Sequence, residues 1–101
     1  MQQPADKRIF PRISAECPVL YLGPGMQRWL VGRLLDFSAT GLRLTCETML
    51  NTGDEVAVQI KPGSNRKIPK ISGVGSVVRT DFNDLGQYEV SLKMIRVDKP
   101  A

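Results

Sequence analysis

A chain of 101 residues with 42% hydrophobic, 24% charged and 6% aromatic content fits one small domain, and folding at this size removes about 65% of the unfolded chain's surface from water. That permits a modest core and argues against a deep catalytic cavity. Histidine is absent, which excludes Ser-His-Asp and Cys-His nucleophile systems and the commonest zinc ligand, while fourteen basic against ten acidic side chains (net +4) favour an anionic partner.

Residues 1–7 are polar and read as a flexible N-terminal arm. Arg8-Ile9-Phe10-Pro11-Arg12 follows. Pro11 lacks a backbone donor and pushes Phe10 toward extended geometry, so the segment is not helical. Extended, Arg8 and Arg12 share a face with their Cα atoms about 13 Å apart, too far for one phosphate near the backbone but suited to a larger anion.

Period-two hydrophobicity then dominates. Irregular strands are expected over 15–22 and 27–37, separated by a Gly23-Pro24-Gly25 turn. Asp36-Phe37-Ser38-Ala39-Thr40-Gly41 joins the second strand to the third. If the strand persists to its end, Asp36 and Ser38 point the same way, and Gly41 permits a tight turn or close approach to a ligand. The bland alternative is a hairpin turn whose Asp and Ser satisfy local backbone donors. Treating positions as independent, this composition yields Arg-x-x-x-Arg about 0.6 times by chance and Asp-x-Ser-x-x-Gly about 0.03 times. Only the second spacing is informative alone.

Leu42, Leu44 and Cys46 alternate with polar neighbours in a third strand, and residues 48–53 make one turn of helix at most. Val56, Val58 and Ile60 line one face of a fourth strand, which ends in a Pro62-Gly63-Ser64-Asn65 turn. A fifth strand is expected over 71–79, with Gly73 and Gly75 marking bulges or bends. Tyr88, Val90, Leu92 and Met94 alternate in a sixth. Trp29, Phe37 and Tyr88 read as core or rim aromatics. Cys17 and Cys46, lacking the second pair of a metal cage, read as reduced core thiols. The fold class is all-β: a small six-stranded antiparallel β-barrel over residues 8–97 with little or no helix, followed by a short tail, 98–101.

The order of the two motifs resembles the bacterial PilZ domain, whose members bind cyclic diguanylate (c-di-GMP) through an Arg-x-x-x-Arg arm and an Asp-x-Ser-x-x-Gly turn. Residues 49–56 and 75–79 resemble that family's connection into its fourth strand and a following strand. The resemblance implies Arg8, Arg12, Asp36, Ser38 and Gly41 as ligand residues, with Lys7 and Arg79 as further candidates. It departs in having Ser91 where members often carry glycine, and in lacking a helix after the barrel. Arginine's planar fork suits guanine O6 and N7, phosphate oxygens or the purine face, and a carboxylate accepts from guanine N1 and N2.

The expectation is therefore a non-catalytic, cytoplasmic receptor, a monomer or weak dimer. It needs no cofactor or metal, and its arm orders on binding c-di-GMP to signal to a protein target. The alternative is a PilZ-like interaction adapter that binds no nucleotide. DNA or RNA binding, suggested by the basic run from Lys61 to Lys70, is set aside because that run carries no aromatic for stacking. Membrane insertion is not expected, since no apolar run reaches about 18 residues.

Overall fold

The computed structural model describes residues 13–63, 68 and 70–98. They form six antiparallel strands, β1 (Ile13–Leu22), β2 (Leu30–Phe37), β3 (Gly41–Cys46), β4 (Glu55–Ile60), β5 (Ser72–Phe82) and β6 (Tyr88–Asp98), in a closed barrel of order β1-β2-β3-β6-β5-β4. Closure comes from β1 pairing with β4, Val19 opposite Ile60. Each of the six strands thus has a neighbour on both sides, so the barrel has no edge strand among the described residues. Among the described residues there is no helix, hence none long and apolar enough to cross a membrane. The arm (1–7), Arg8, Arg12 and residues 99–101 of the tail lie outside the described residues.

The alternation expected from sequence sorts the strands into inside and outside. Val56, Val58 and Ile60, Leu42, Leu44 and Cys46, and Val90 and Leu92 are all buried, with Phe37, Tyr88 and Met94 packed against them. The barrel interior is thus filled with aliphatic side chains and Tyr21, whose hydroxyl is paired with Thr48 Oγ1 at 2.7 Å. Cys17 and Cys46 are buried free thiols. Because β3 and β4 are not neighbours, residues 47–54 must cross one mouth of the barrel, and Leu50 turns inward there. This crossing contains a turn, not helix: Asp54 N donates to Asn51 O at 2.9 Å, with Gly53 at φ 95°. Ile68, from the β4–β5 connection at the opposite mouth, is also buried.

Several boundaries differ from the sequence reading. β2 starts at Leu30, not Gln27, and of the two places expected for Trp29, core or rim, the core is ruled out, since the residue is 38% exposed. β1 begins at Ile13, two residues earlier than expected. β5 runs on to Phe82, where the ring meets Tyr88 edge-on at 5.1 Å. Asn83 then closes the β5–β6 turn, its Oδ1 accepting from the amides of Leu85 and Gln87.

Pro18 sits inside β1 without breaking it. Its carbonyl accepts from Lys61 N just past the end of β4, so the donor it lacks falls where the ladder stops.

Candidate functional site

In a regular strand Asp36 would follow Leu34 into the core, two residues on. It does not, because the β2–β3 register shifts between Leu34 and Asp36. Leu34 stays opposite Leu44 in the core, Leu35 is the extra residue, and Asp36 lands opposite Arg43 on the outer wall. The carboxylate Oδ2 accepts from Arg43 Nε at 3.1 Å and from Nη2 at 2.8 Å. Arg43 Nη1 lies 3.7 Å from Glu89 Oε1 on β6. Asp36 is only 7% exposed although it faces outward. The sequence reading named Asp36 but missed Arg43, because cross-strand partners follow from register and not from spacing along the chain.

A second bulge does the same on β5. The β5–β6 register shifts between Val77 and Arg79, leaving Val77 in the core opposite Leu92 and Arg79 outside opposite Ser91. Ser91 in turn stands opposite Arg43. The outer wall therefore carries one row, Asp36, Arg43, Ser91 and Arg79, across β2, β3, β6 and β5. Three strand spacings of about 4.8 Å put its ends about 14 Å apart. Arg79 Nε donates to Asp81 Oδ2 at 2.7 Å, and both side chains are well exposed.

The turn after β2 is tied down at both ends. Strand geometry stops at Phe37, so Ser38 does not continue the alternation that would have set it on the same face as Asp36. Instead Ser38 N donates to Gly41 O at 2.8 Å, and Met94 N donates to Thr40 O at 2.9 Å. The Ser38 hydroxyl accepts from Thr40 N at a long 3.4 Å. Gly41 has no positive φ, and its need for glycine comes from its neighbour: a Cβ there would stand 2.4 Å from Leu92 O.

Beside this turn the chain enters the barrel. Ile13 stands opposite Phe37 and Ser14 opposite Asp36. Lys7, Arg8 and Arg12 themselves lie outside the described residues. The two thiols offer little nucleophilic chemistry, since burial pushes both Cys17 and Cys46 above their ordinary value.

These features define a class: a small closed antiparallel barrel bearing a polar row on its wall, next to the point where the N-terminal segment joins. The family model described as PilZ domain matches residues 6–101, and the chain belongs to the PilZ domain family. Among solved structures, the Bacillus subtilis inhibitor of motility (MotI/DgrA) superposes with a TM-score of 0.75 at 13% identity, over 93% of this chain and 45% of that one. The chain thus spans less than half the length of that relative. The PilZ domain of YcgR from Escherichia coli, solved with c-di-GMP, superposes with a TM-score of 0.61 at 19% identity, over 90% of this chain and 79% of that one. No curated protein sequence matches.

Proposed function

We propose that the chain is a non-catalytic receptor for c-di-GMP, with Arg8, Arg12, Asp36, Ser38 and Gly41 as its principal ligand residues. Lys7 and Arg79 are further candidates for contact with the ligand. The observation that carries this reading is the entry geometry: the residue after Arg12 stands opposite the residue after Asp36. Strand β1 thus begins, one residue after Arg12, beside the end of the strand that carries Asp36, which supports a common site for two motifs separated by 23 residues of sequence.

The chemistry fits a doubly charged purine dinucleotide. Guanidinium groups suit guanine O6 and N7 or phosphate, and the Asp36 carboxylate suits guanine N1 and N2 donors, which adenine does not present in that arrangement. The bulge at Leu35 and the bulge at Val78 set Asp36 and Arg79 at opposite ends of one row, a span comparable with a large ligand. Bulges commonly re-aim side chains beside binding sites. The c-di-GMP in the YcgR structure supports the ligand's identity.

Binding would draw the arginine-bearing arm onto the barrel, and the ordered arm would present a new surface to a protein target. Only a ligand that prefers the ordered arrangement produces such a switch. Two reduced, buried thiols accord with a cytoplasmic setting. The test is calorimetric titration with c-di-GMP and cyclic diadenylate, using the unaltered chain and Arg12→Ala. Selective binding of c-di-GMP that weakens in Arg12→Ala supports the receptor; equal affinities for the two chains remove the arm from the mechanism.

One observation favours the second reading, an adapter that binds no nucleotide: the Asp36 carboxylate already has a partner in Arg43. A thermal-shift assay separates the two readings. Ligand at about 100 times its dissociation constant stabilises a receptor by about 2.7 kcal/mol, whereas an adapter does not respond.

A further inference from the structure

We propose that Arg43 is the positioning residue of the site, acting through Asp36 to fix the plane in which that carboxylate meets the ligand; this rests on the receptor reading above.

Three strands supply the parts. Asp36 is on β2, Arg43 is opposite it on β3, and Glu89 is on β6. A lone aspartate on a barrel wall has two side-chain torsions to lose before it can present an edge to a base. Here two guanidinium donors converge on Oδ2, at 3.1 and 2.8 Å, and two donors on one oxygen restrict the carboxylate's rotation as a single donor cannot. The guanidinium is itself steadied from the other side, with Nη1 3.7 Å from Glu89. Asp36 is nearly buried, while the Arg43 side chain keeps 44% of its exposure. The aspartate is thus the fixed element and the arginine its support. The bulge at Leu35 matters in the same way, since without it Asp36 would not stand opposite Arg43 at all. A site holds its geometry when supporting groups lock the contacting groups, and both partners here sit on backbone fixed by strand pairing.

The assignment makes a prediction that separates support from direct contact. If Arg43 acts through Asp36, removing it costs nothing further once the carboxylate has gone. Dissociation constants for c-di-GMP are measured by calorimetry for the unaltered chain, Arg43→Ala, Asp36→Asn and the double variant, with thermal unfolding of each ligand-free chain recorded alongside. Arg43→Ala is expected to weaken binding about tenfold or more, and the double variant to bind no more weakly than Asp36→Asn. Arg43→Lys keeps the charge but not the paired donors, so it is expected to recover only part of the loss.

Additive losses in the double variant, unchanged affinity in Arg43→Ala, or full recovery by Arg43→Lys would each overturn the assignment. If Arg43→Ala fails to fold, Arg43→Gln and Arg43→Lys carry the same cycle against Asp36→Asn. Failure of the unaltered chain to bind c-di-GMP would instead overturn the receptor reading, and this inference with it.

Discussion

Gly41 lies against the carbonyl of Leu92, so close that a methyl group on Gly41 would stand 2.4 Å from the oxygen. The two residues belong to neighbouring strands, with Gly41 opposite Lys93 in the β3–β6 ladder. The last position of the Asp-x-Ser-x-x-Gly spacing therefore has a packing reason to be glycine, independent of any ligand. Replacing it forces β3 away from β6 at the root of the turn that carries Ser38.

Gly41→Ala is accordingly expected to lower the stability of the ligand-free protein by about 1–3 kcal/mol, because backbone oxygen cannot move aside as a flexible side chain can. Urea denaturation of the two chains measures it. An unchanged midpoint would contradict the close approach, and any loss of ligand binding in this variant has to be read against the stability change.

The inside-outside sorting of the strands makes a paired prediction. Leu44 is fully buried, and Leu44→Ala should cost about 2–5 kcal/mol through lost burial and a residual cavity. Val31 is 66% exposed, and Val31→Ala should stay within about 0.5 kcal/mol. Similar shifts in the two denaturation midpoints would show that the faces are wrongly assigned.

The thiols set an alkaline limit. Burial raises Cys46 and Cys17 above their ordinary value of 9.0, and it raises Tyr21 above 10.0. A raised value means that the unfolded chain gives up its proton first. The stability these groups contribute is whole below the unfolded value and is lost as pH climbs from it through the folded value. Denaturation midpoints should fall between pH 8 and pH 10.5 on this account, and Cys46→Ala should flatten the decline. At pH 8 both thiols should react with a disulfide reagent far more slowly in the folded protein than in urea; equal rates would contradict their burial.

Ser38 separates binding from folding. Its hydroxyl accepts from Thr40 N at 3.4 Å, a contact too long to carry much stability. Ser38→Ala should shift the ligand-free melting temperature little, yet weaken c-di-GMP binding by up to about tenfold through one lost hydrogen bond. Full affinity in Ser38→Ala would remove this residue from the site.

Much of the barrel could be read along the chain because half-buried strands announce themselves locally. Val56, Val58 and Ile60, or Leu42, Leu44 and Cys46, take the same inward face in the structure that their alternation predicts. Turns with glycine at positive φ, at Gly25 and Gly63, coincide with the expected breaks. The β5–β6 turn is likewise written locally, in Asn83-Asp84 and in Gly86, which has φ 79°. The bulges were harder. Leu34-Leu35 before Asp36 and Val77-Val78 before Arg79 are apolar doublets that interrupt alternation, but a doublet alone does not say which residue is the extra one.

The sequence by itself determined the β character of the chain, its inward-facing aliphatic stripes and the two motifs with their order. These depend on neighbours two to five positions apart, which backbone geometry brings together whatever the rest of the molecule does. Only the tertiary structure decided that β1 closes on β4, that Asp36 meets Arg43 and Arg43 meets Ser91, and that the chain enters the barrel beside the acidic turn. Those are ladder contacts between strands distant in sequence. Their register is settled by how the whole core packs, since a one-residue slip would turn every side chain of a strand to the other face.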